Sequence, residues 1–363
     1  MKIKDLCSYA PKSRIKAGEA VENAKYLFFT SSADENKRYT DFQFDKEAII
    51  MGTGGNATLH YYNGKFSVST DCLVLFPNSK IKCKYLYYFF KSHMSVLEAG
   101  FKGAGLKHTN KKYIEEINVS KVPDLSIQEK IVSHLDTITE NIEKLNRELE
   151  LFDSLTKARF VEMFGDYLKD DRRPLSEVAI ITGGLTKNSN RNTFETKMPY
   201  LRVANVFYNR LDLREILKIG VKEEEIEKTL LQAGDLLFVE GNGSIEQIGR
   251  VAIWDGSIDP ILHQNHLIKA RFNNEIIAPE YALFYFMLQD GRQQIISKSV
   301  STSGLNTLSV NKVSSLLLPI PPIALQNQFA NFVRQVDKSR EEVKKSLEKT
   351  QQLYDSLMQE YFG

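Results

Sequence analysis

Cysteine is scarce and poorly placed for any framework: Cys7, Cys72 and Cys83 are odd in number, widely spaced and form no Cys-x-x-Cys pair. That pattern excludes a disulfide scaffold and a zinc cage, and the three read as ordinary thiols. No apolar run approaches the roughly 18 residues that span a bilayer, and the opening MKIKDLCSYA has no hydrophobic stretch of signal-peptide type. A cytoplasmic protein with no membrane partner is expected. Also missing are a phosphate-loop Gly-Lys-Ser/Thr, a dinucleotide fingerprint, a nucleophile elbow, a paired-carboxylate motif and a methyltransferase Asn/Asp-Pro-Pro-aromatic tetrad. Of six histidines only His263 and His266 lie close together, with no carboxylate spacing that makes a metal cage. The expectation is a chain that performs no covalent chemistry and holds no metal.

What is present is a repeat. SIQEKIVSHLDTITENIEKLNRELELFDSLTKARFVEMFG (126–165) recurs as ALQNQFANFVRQVDKSREEVKKSLEKTQQLYDSLMQEYFG (324–363), at a constant shift of 198 residues over forty positions without a gap. It pairs Gln128 with Gln326, Leu155 with Leu353 and Phe164-Gly165 with Phe362-Gly363. A weaker, gapped repeat precedes each copy. Tyr26-Leu27 matches Tyr200-Leu201, and Glu47-Ala48-Ile49-Ile50 matches Asp235-Leu236-Leu237-Phe238. Gly54-Gly55-Asn56 matches Gly241-Asn242-Gly243-Ser244, and Gly105-Leu106 matches Gly304-Leu305. The second copy carries extra residues, chiefly between Asn205 and Gly234. The plan is globular domain, long helix, globular domain, long helix.

Each globular copy reads as mixed α/β. Runs such as AIIM (48–51), FSVST (66–70), DLLFVE (235–240) and RVAIW (250–254), bounded by glycine and asparagine turns, predict strands. YLYYFFKSHM and EYALFYFMLQ predict buried helices whose aromatics are core rather than a base-stacking platform. In the first long helix Ile138, Ile142, Leu145, Leu149 and Phe152 form a heptad seam. The second repeats it at Val336, Val343, Leu347 and Leu353, with Arg340 at one seam position. Neither seam is buried alone, and forty residues make a rod of roughly 60 Å, so the two helices are expected to pair as a coiled coil. Val122-Pro123 and the Leu-Pro-Ile-Pro-Pro segment at 318–322 set extended approaches to them.

Net charge is only +2 but uneven: residues 1–122 carry +7, 123–165 −4, 166–318 −1 and the remainder 0. From Lys80 to Lys112 there are eight lysines against one acid, Glu98. FKGAGLKHTNKK (101–112) and its counterpart SKSVSTSGLNTLSVNK (297–312) occupy equivalent places in the two copies. Lysine and backbone N–H groups suit phosphates, while Asn, Ser and Thr suit base edges. The glycine cluster MGTGGN (51–56) reads as turn chemistry.

The junctions VSKVPDLSIQEKI and LLLPIPPIALQNQF, each followed by a long helix ending in Phe-Gly, resemble the specificity subunit of type I restriction-modification enzymes. PLSEVAIITGG (174–184), PYLRVANV (199–206) and LQAGDLLFVEGNGSIEQIGRVAIW (231–254) resemble the opening of a target-recognition domain of that family. The first junction departs from the pattern, with Asp124 where Pro322 stands in the second. The resemblance implies an α/β (α+β) chain of two pseudo-repeated target-recognition domains, at 1–122 and 166–318. Spacer helices at 123–165 and 319–363 would separate them, running antiparallel as a coiled coil.

It implies double-stranded DNA as ligand and two modification (methyltransferase) subunits docked on the helices that carry the seam residues Ile138, Ile142, Leu145, Leu149, Phe152, Val336, Val343 and Leu347. Restriction (ATP-dependent endonuclease) subunits would join them. This chain would bind no cofactor: S-adenosylmethionine would sit on the modification subunits, and ATP and magnesium on the restriction subunits. Expected DNA contacts are Lys102, Lys107, His108, Asn110 and Lys111 in the first domain. In the second they are Lys187, Arg191, Arg202, Asn205, Ser301, Thr302, Ser303 and Asn306. Half-site centres are expected roughly one helical turn apart on a bipartite, asymmetric target. A non-enzymatic coiled-coil assembly protein is the alternative.

Overall fold

The apolar run Ala48-Ile49-Ile50-Met51 has no polar alternation, so it must be covered on both faces. In the computed structural model, which describes residues 1–169, 172–302 and 304–363, it lies in an inner strand of a six-stranded sheet. The strands are β1 (Cys7–Tyr9), β2 (Tyr26–Phe29), β3 (Arg38–Tyr39), β4 (Phe44–Gly52), β5 (Leu59–Val68) and β6 (Cys72–Pro77), in the spatial order β1-β6-β4-β5-β2-β3. β4 and β5 run antiparallel from Phe44↔Phe66 to Met51↔Leu59, whereas β2 joins β5 in parallel. Ile49 and Met51 face helix α1 (Cys83–Ser92), where they meet Tyr85, Leu86, Phe89 and Phe90. Ala48 and Ile50 face the other way, with Phe29, Phe66, Val68 and Val74. Helices α2 (Met94–Ala99) and α3 (Lys111–Glu116) follow, then the long helix α4 (Leu125–Phe164). The three cysteines are free and buried, and burial pushes the Cys7 thiol up to about 12 and that of Cys72 to about 11.

The chain divides into two units, Met1–Arg147 with Lys344–Gly363, and Glu148–Val343. The second unit repeats the logic of the first. Its main antiparallel sheet runs in the order Val251–Ile253, Leu236–Val239, Leu267–Phe272, Ala179–Gly183. Leu236 and Phe238 pack toward the aromatic helix, Leu237 and Val239 toward Trp254 and Ile261. Its helices are α5 (Glu223–Thr229), α6 (Pro279–Met287), α7 (Gln289–Lys298) and α8 (Val310–Ser314), before the second long helix α9 (Ile323–Phe362).

Helix α5 lies in the segment by which the second copy exceeds the first, and it is fastened at its C-terminal end, where unpaired carbonyls favour cations and donors. Lys269 Nζ donates to Lys228 O and Leu230 O, and His263 Nδ1–H to Thr229 O at 2.8 Å. Arg271 donates to Leu230 O and grips the buried Asp235 with two hydrogen bonds of 2.7–2.8 Å. Burial holds His263 down at about 4 and Lys269 at about 8.

Each long helix contributes to both units. In the first unit Ile131, Leu135 and Ile138 of α4 share a core with Tyr354, Met358 and Phe362 of α9. In the second, Phe160 and Phe164 of α4 share a core with Phe329 and Val333 of α9. The start of one helix meets the end of the other in both places, so the pair runs antiparallel. The repeated Phe-Gly ends do repeated work: Phe362 lies 5.2 Å from the Tyr85 ring, and Phe164 lies 4.7 Å from that of Tyr281.

Both junctions are closed by the repeated glutamine, which is fully buried in each copy. Gln128 accepts from Lys82 N at 2.8 Å and donates to Lys80 O and Pro123 O at 3.2 and 2.7 Å. Gln326 accepts from Ala278 N at 2.9 Å and donates to Ile276 O and Pro321 O at 3.0 and 2.8 Å. The departure at Asp124 leaves this geometry intact. Its carbonyl accepts from Ile127 N and Gln128 N, as that of Pro322 accepts from Leu325 N and Gln326 N.

The seam needs one correction: Leu353 is 51% exposed, and the neighbouring Tyr354 occupies the buried position. The spacing explains it, because 336, 340, 343, 347, 350 and 354 keep the alternation of four and three that 353 breaks. Arg340 is tolerated in the seam because its guanidinium pairs with Asp153 at 2.7 Å and lies over the Phe152 ring. Among the described residues no helix is long and apolar enough to cross a membrane, and no cluster of His, Cys, Asp and Glu is arranged to hold a metal.

Candidate nucleic-acid interface

The glycine cluster and the lysine-rich segment of the first unit are distant in sequence and adjacent in space. Gly55 N donates to Lys107 O at 2.9 Å, and Thr109 N to Thr53 O at 3.0 Å. Lys102 and His108 exchange both backbone hydrogen bonds, which closes residues 102–108 into a tight loop. Gly55 has φ +82°, a conformation that costs other residues about 1 kcal/mol or more. A Cβ at Gly54 would sit 3.3 Å from the His108 ring, a tight approach that the glycine avoids.

Lys102, Lys107 and His108 are exposed on this loop, with Leu106 70% exposed beside them. Neither lysine has a carboxylate within ion-pair distance among the described residues. Asn110 accepts from Tyr113 N at 3.0 Å as the N-cap of α3, a role that fixes the loop's exit. Lys111 lies 4.5 Å from the Tyr9 ring centroid and 3.5 Å from Glu115.

The second unit preserves the same contact. Gly241–Asn242 pairs antiparallel with Leu305–Thr307, which pairs in turn with Val300–Thr302. Asn306 Nδ2 donates to the carbonyls of Asn242 and Gly243 at 3.4 and 3.3 Å, and Leu308 N to Glu240 O at 2.7 Å. Ser301 and Thr302 lie on the outer strand of this small sheet, whereas Ser303 lies outside the described residues. The repeat thus conserves a loop-to-loop contact, although its sequence signal was no more than two scattered glycine pairs.

Lys187 is exposed. Arg191 and Asn205 are not available to a ligand, a correction to the expectation for both. Arg191 is 7% exposed; it pairs with both carboxylate oxygens of Glu225 at 3.0 and 2.8 Å and also donates to Thr186 O and Gly220 O. That pairing holds the Glu225 carboxyl below its usual range. Asn205 accepts from Arg202 N and donates to Asp212 O and Glu215 O. A buried polar group must find partners inside the fold, and these two have done so. Arg202 is half-buried and pairs with Glu215 at 2.7 Å.

Sequence reasoning missed a cluster next to this sheet: Phe207, Tyr208, Arg210, Arg250 and Arg292. Arg292 donates to the carbonyls of Ile245, Glu246 and Ile248, and Tyr208 Oη donates to Glu246 O, so both hold the loop that follows Gly241–Asn242. The available signal was the FYNR turn (207–210), which falls in the extra residues of the second copy.

A family model described as type I restriction modification DNA specificity domain matches residues 1–151 and 171–352. The chain is similar to the specificity subunit of the type I restriction enzyme EcoKI of Escherichia coli (strain K12), at 22% identity over 382 residues, covering 98% of this chain and 77% of that protein. It is likewise similar to the MjaVIII specificity subunit of Methanocaldococcus jannaschii, at 21% identity, covering 85% of this chain and 78% of that one. In fold it matches the crystal structure of a type I restriction-modification S subunit from M. genitalium, with a TM-score of 0.67 at 18% identity, over 99% of this chain and 94% of that chain.

Proposed function

The chain belongs to the specificity subunits of type I restriction-modification systems, and from that membership we propose that each of its two units reads one half of a bipartite, asymmetric DNA site. The first target-recognition domain is assigned to residues 1–122 and the second to 166–318, with spacer helices at 123–165 and 319–363. The observation that carries the reading is the duplicated platform, in which the glycine-cluster loop of each unit is hydrogen-bonded to its later polar loop.

In the first unit Lys102, Lys107 and His108 meet phosphates and base edges, with Asn110 and Lys111 positioning the loop. In the second, Lys187, Arg202 and the strand carrying Ser301 and Thr302 do so, while Asn306 on the neighbouring strand, buried and bonded to Asn242 O and Gly243 O, acts as scaffold with Arg191 and Asn205. The platforms differ in charge and residue type, which supports two different half-sites. The paired helices set the distance between them.

The helices also dock the modification subunits. The seam residues are buried or half-buried, so docking falls to helix residues outside the seam; within the second unit Leu151, Leu155 and Val161 are exposed. Methyl transfer and cleavage belong to the partners, S-adenosylmethionine to the modification subunits, ATP and magnesium to the restriction subunits. Partners that share the phosphate contacts leave the isolated chain a weak, salt-sensitive DNA binder.

The test is methylome sequencing of a methylation-free host expressing this chain with its neighbouring modification subunit, against that subunit alone. A new bipartite adenine motif that depends on the chain is expected. A co-purifying complex that produces no motif would refute DNA reading and favour a coiled-coil assembly protein.

A further inference from the structure

The extra segment of the second unit folds into a small hairpin, Val206–Phe207 against Arg210–Leu211, turned at Tyr208-Asn209 with Asn209 at φ +46°. Asn209 N donates to Val251 O at 2.9 Å, which fixes the hairpin to the main sheet. Its aromatic side chains collect arginines. The Arg210 guanidinium lies 4.5 Å from the Phe207 ring centroid, Arg250 lies 5.1 Å from the same centroid, and Arg292 lies 5.6 Å from that of Tyr208.

None of the three has a carboxylate within ion-pair distance among the described residues. Arg250 and Arg292 are half-buried, and burial lowers the proton affinity of both. Arg250 makes one hydrogen bond, to Val203 O at 3.3 Å, and its Nε–H is buried without a partner. Two half-buried guanidiniums, Arg250 and Arg292, stand beside the exposed Arg210; two charges held at reduced hydration without an ion-pair partner are costly unless an anion completes them. Aromatic rings hold a guanidinium flat with its N–H edge outward, the geometry that receives a phosphate oxygen pair.

We infer that Arg210, Arg250 and Arg292, ordered by Phe207 and Tyr208, form an anion site that takes a DNA phosphodiester beside the half-site read by the second unit. The inference rests on the DNA-reading assignment above. It adds a contact that the first unit lacks, because the hairpin lies within the residues by which the second copy exceeds the first. It also assigns the cluster to backbone anchoring rather than base reading: Arg292 and Tyr208 grip the 245–248 loop, so a phosphate bound here is tied directly to the platform loop.

The experiment uses the full chain assembled with its modification subunits and a duplex carrying its methylated motif. Arg210 is exposed, so Arg210→Ala is expected to keep the thermal midpoint of the chain. It should lower the slope of log K against log salt by about 0.9, weaken binding roughly tenfold at low salt, and leave the methylated motif unchanged. Arg250→Lys, which keeps the charge but loses the planar stacked fork, should give a smaller loss of the same kind. A neutral methylphosphonate at one position flanking the second half-site should weaken wild-type binding and add nothing to Arg210→Ala.

An unchanged slope in Arg210→Ala at unchanged thermal midpoint would overturn the inference. So would an altered motif, which would make these arginines base readers. Stabilisation by inorganic phosphate that Arg210→Ala abolishes without touching the DNA slope would assign the site to free anions and overturn it as well. If the wild-type complex binds motif and scrambled duplexes alike, the DNA-reading assignment itself fails. If it discriminates and Arg210→Ala changes nothing, only the phosphate site fails.

Discussion

Replacing Gln326 with alanine should unfasten the second unit from its helix at a calculable cost. The side chain is fully buried and makes three hydrogen bonds of 2.8–3.0 Å, one accepted from Ala278 N and two donated to Ile276 O and Pro321 O. Alanine leaves one buried N–H and two carbonyls without those partners and opens a cavity. At about 1 kcal/mol or more for each orphaned group, with a cavity term added, the loss is about 3–5 kcal/mol. For a unit of this size that lowers the thermal midpoint by roughly 2–4 °C per kcal/mol, in all about 10 °C.

The assay is built in. Trp254 is the chain's single tryptophan and is buried in the second unit, so its fluorescence follows that unit alone. Gln326→Ala should move the fluorescence transition, whereas Gln128→Ala should move the circular-dichroism transition of the first unit by a similar amount. A loss below about 1 kcal/mol in either variant would refute the reasoning, because the cost of leaving buried groups unsatisfied would then not apply here.

Acid should weaken the second unit through His263. Burial holds it at about 4 against about 6.5 unfolded, so the unfolded state binds the extra proton between those values. Stability therefore falls as pH drops from 6.5 to 4, by up to about 3 kcal/mol. Denaturation followed at Trp254 should show this, and His263→Asn should remove most of it; equal midpoints at pH 7 and pH 4.5 in the native chain would contradict it. Arg191→Met should destabilise the second unit by about 1–2 kcal/mol, chiefly through the buried Gly220 carbonyl it leaves without a donor, without changing the motif methylated by surviving complex, and a changed motif would return Arg191 to the DNA contacts. Lys102→Ala with Lys107→Ala should reduce the salt slope by about 2 and weaken binding alike on all sequences; a loss confined to one motif would mean these lysines read bases.

The repeat made most of this architecture legible before any coordinates. Gln128 and Gln326, or Phe164 and Phe362, are recognisable as pairs because a duplicated helix preserves spacing without gaps. The strand and aromatic-helix assignments held for the same reason that AIIM must be covered on both faces. What failed was local. Leu353 looked like a seam residue by hydrophobicity, but a helix selects by angle, and Tyr354 has the right one. Arg191 and Asn205 looked like DNA contacts by residue type; type does not say which way a side chain points, and Arg191 is committed to Gly220 O and Glu225, 29 and 34 residues on, and Asn205 to Asp212 O and Glu215 O, 7 and 10 residues on. The FYNR turn gave little sign of the hairpin cluster, because Tyr208 and Arg292 come together only through tertiary folding.

The division of the two long helices carries a consequence for synthesis. The first unit takes Tyr354, Met358 and Phe362 into the core that also holds Tyr85, Leu135 and Ile138. A ribosome making about 5–20 residues per second needs on the order of 10–40 s to travel from the end of its first segment to the start of its second. During that interval a newly made, half-covered aromatic face waits at the tunnel exit. The second unit, whose residues 148–343 are contiguous, has no such wait. The order in which parts emerge is thus the reverse of the order in which they can finish. A message cut short before Lys344 would release a chain whose later half is whole and whose earlier half is a client for chaperones and proteases.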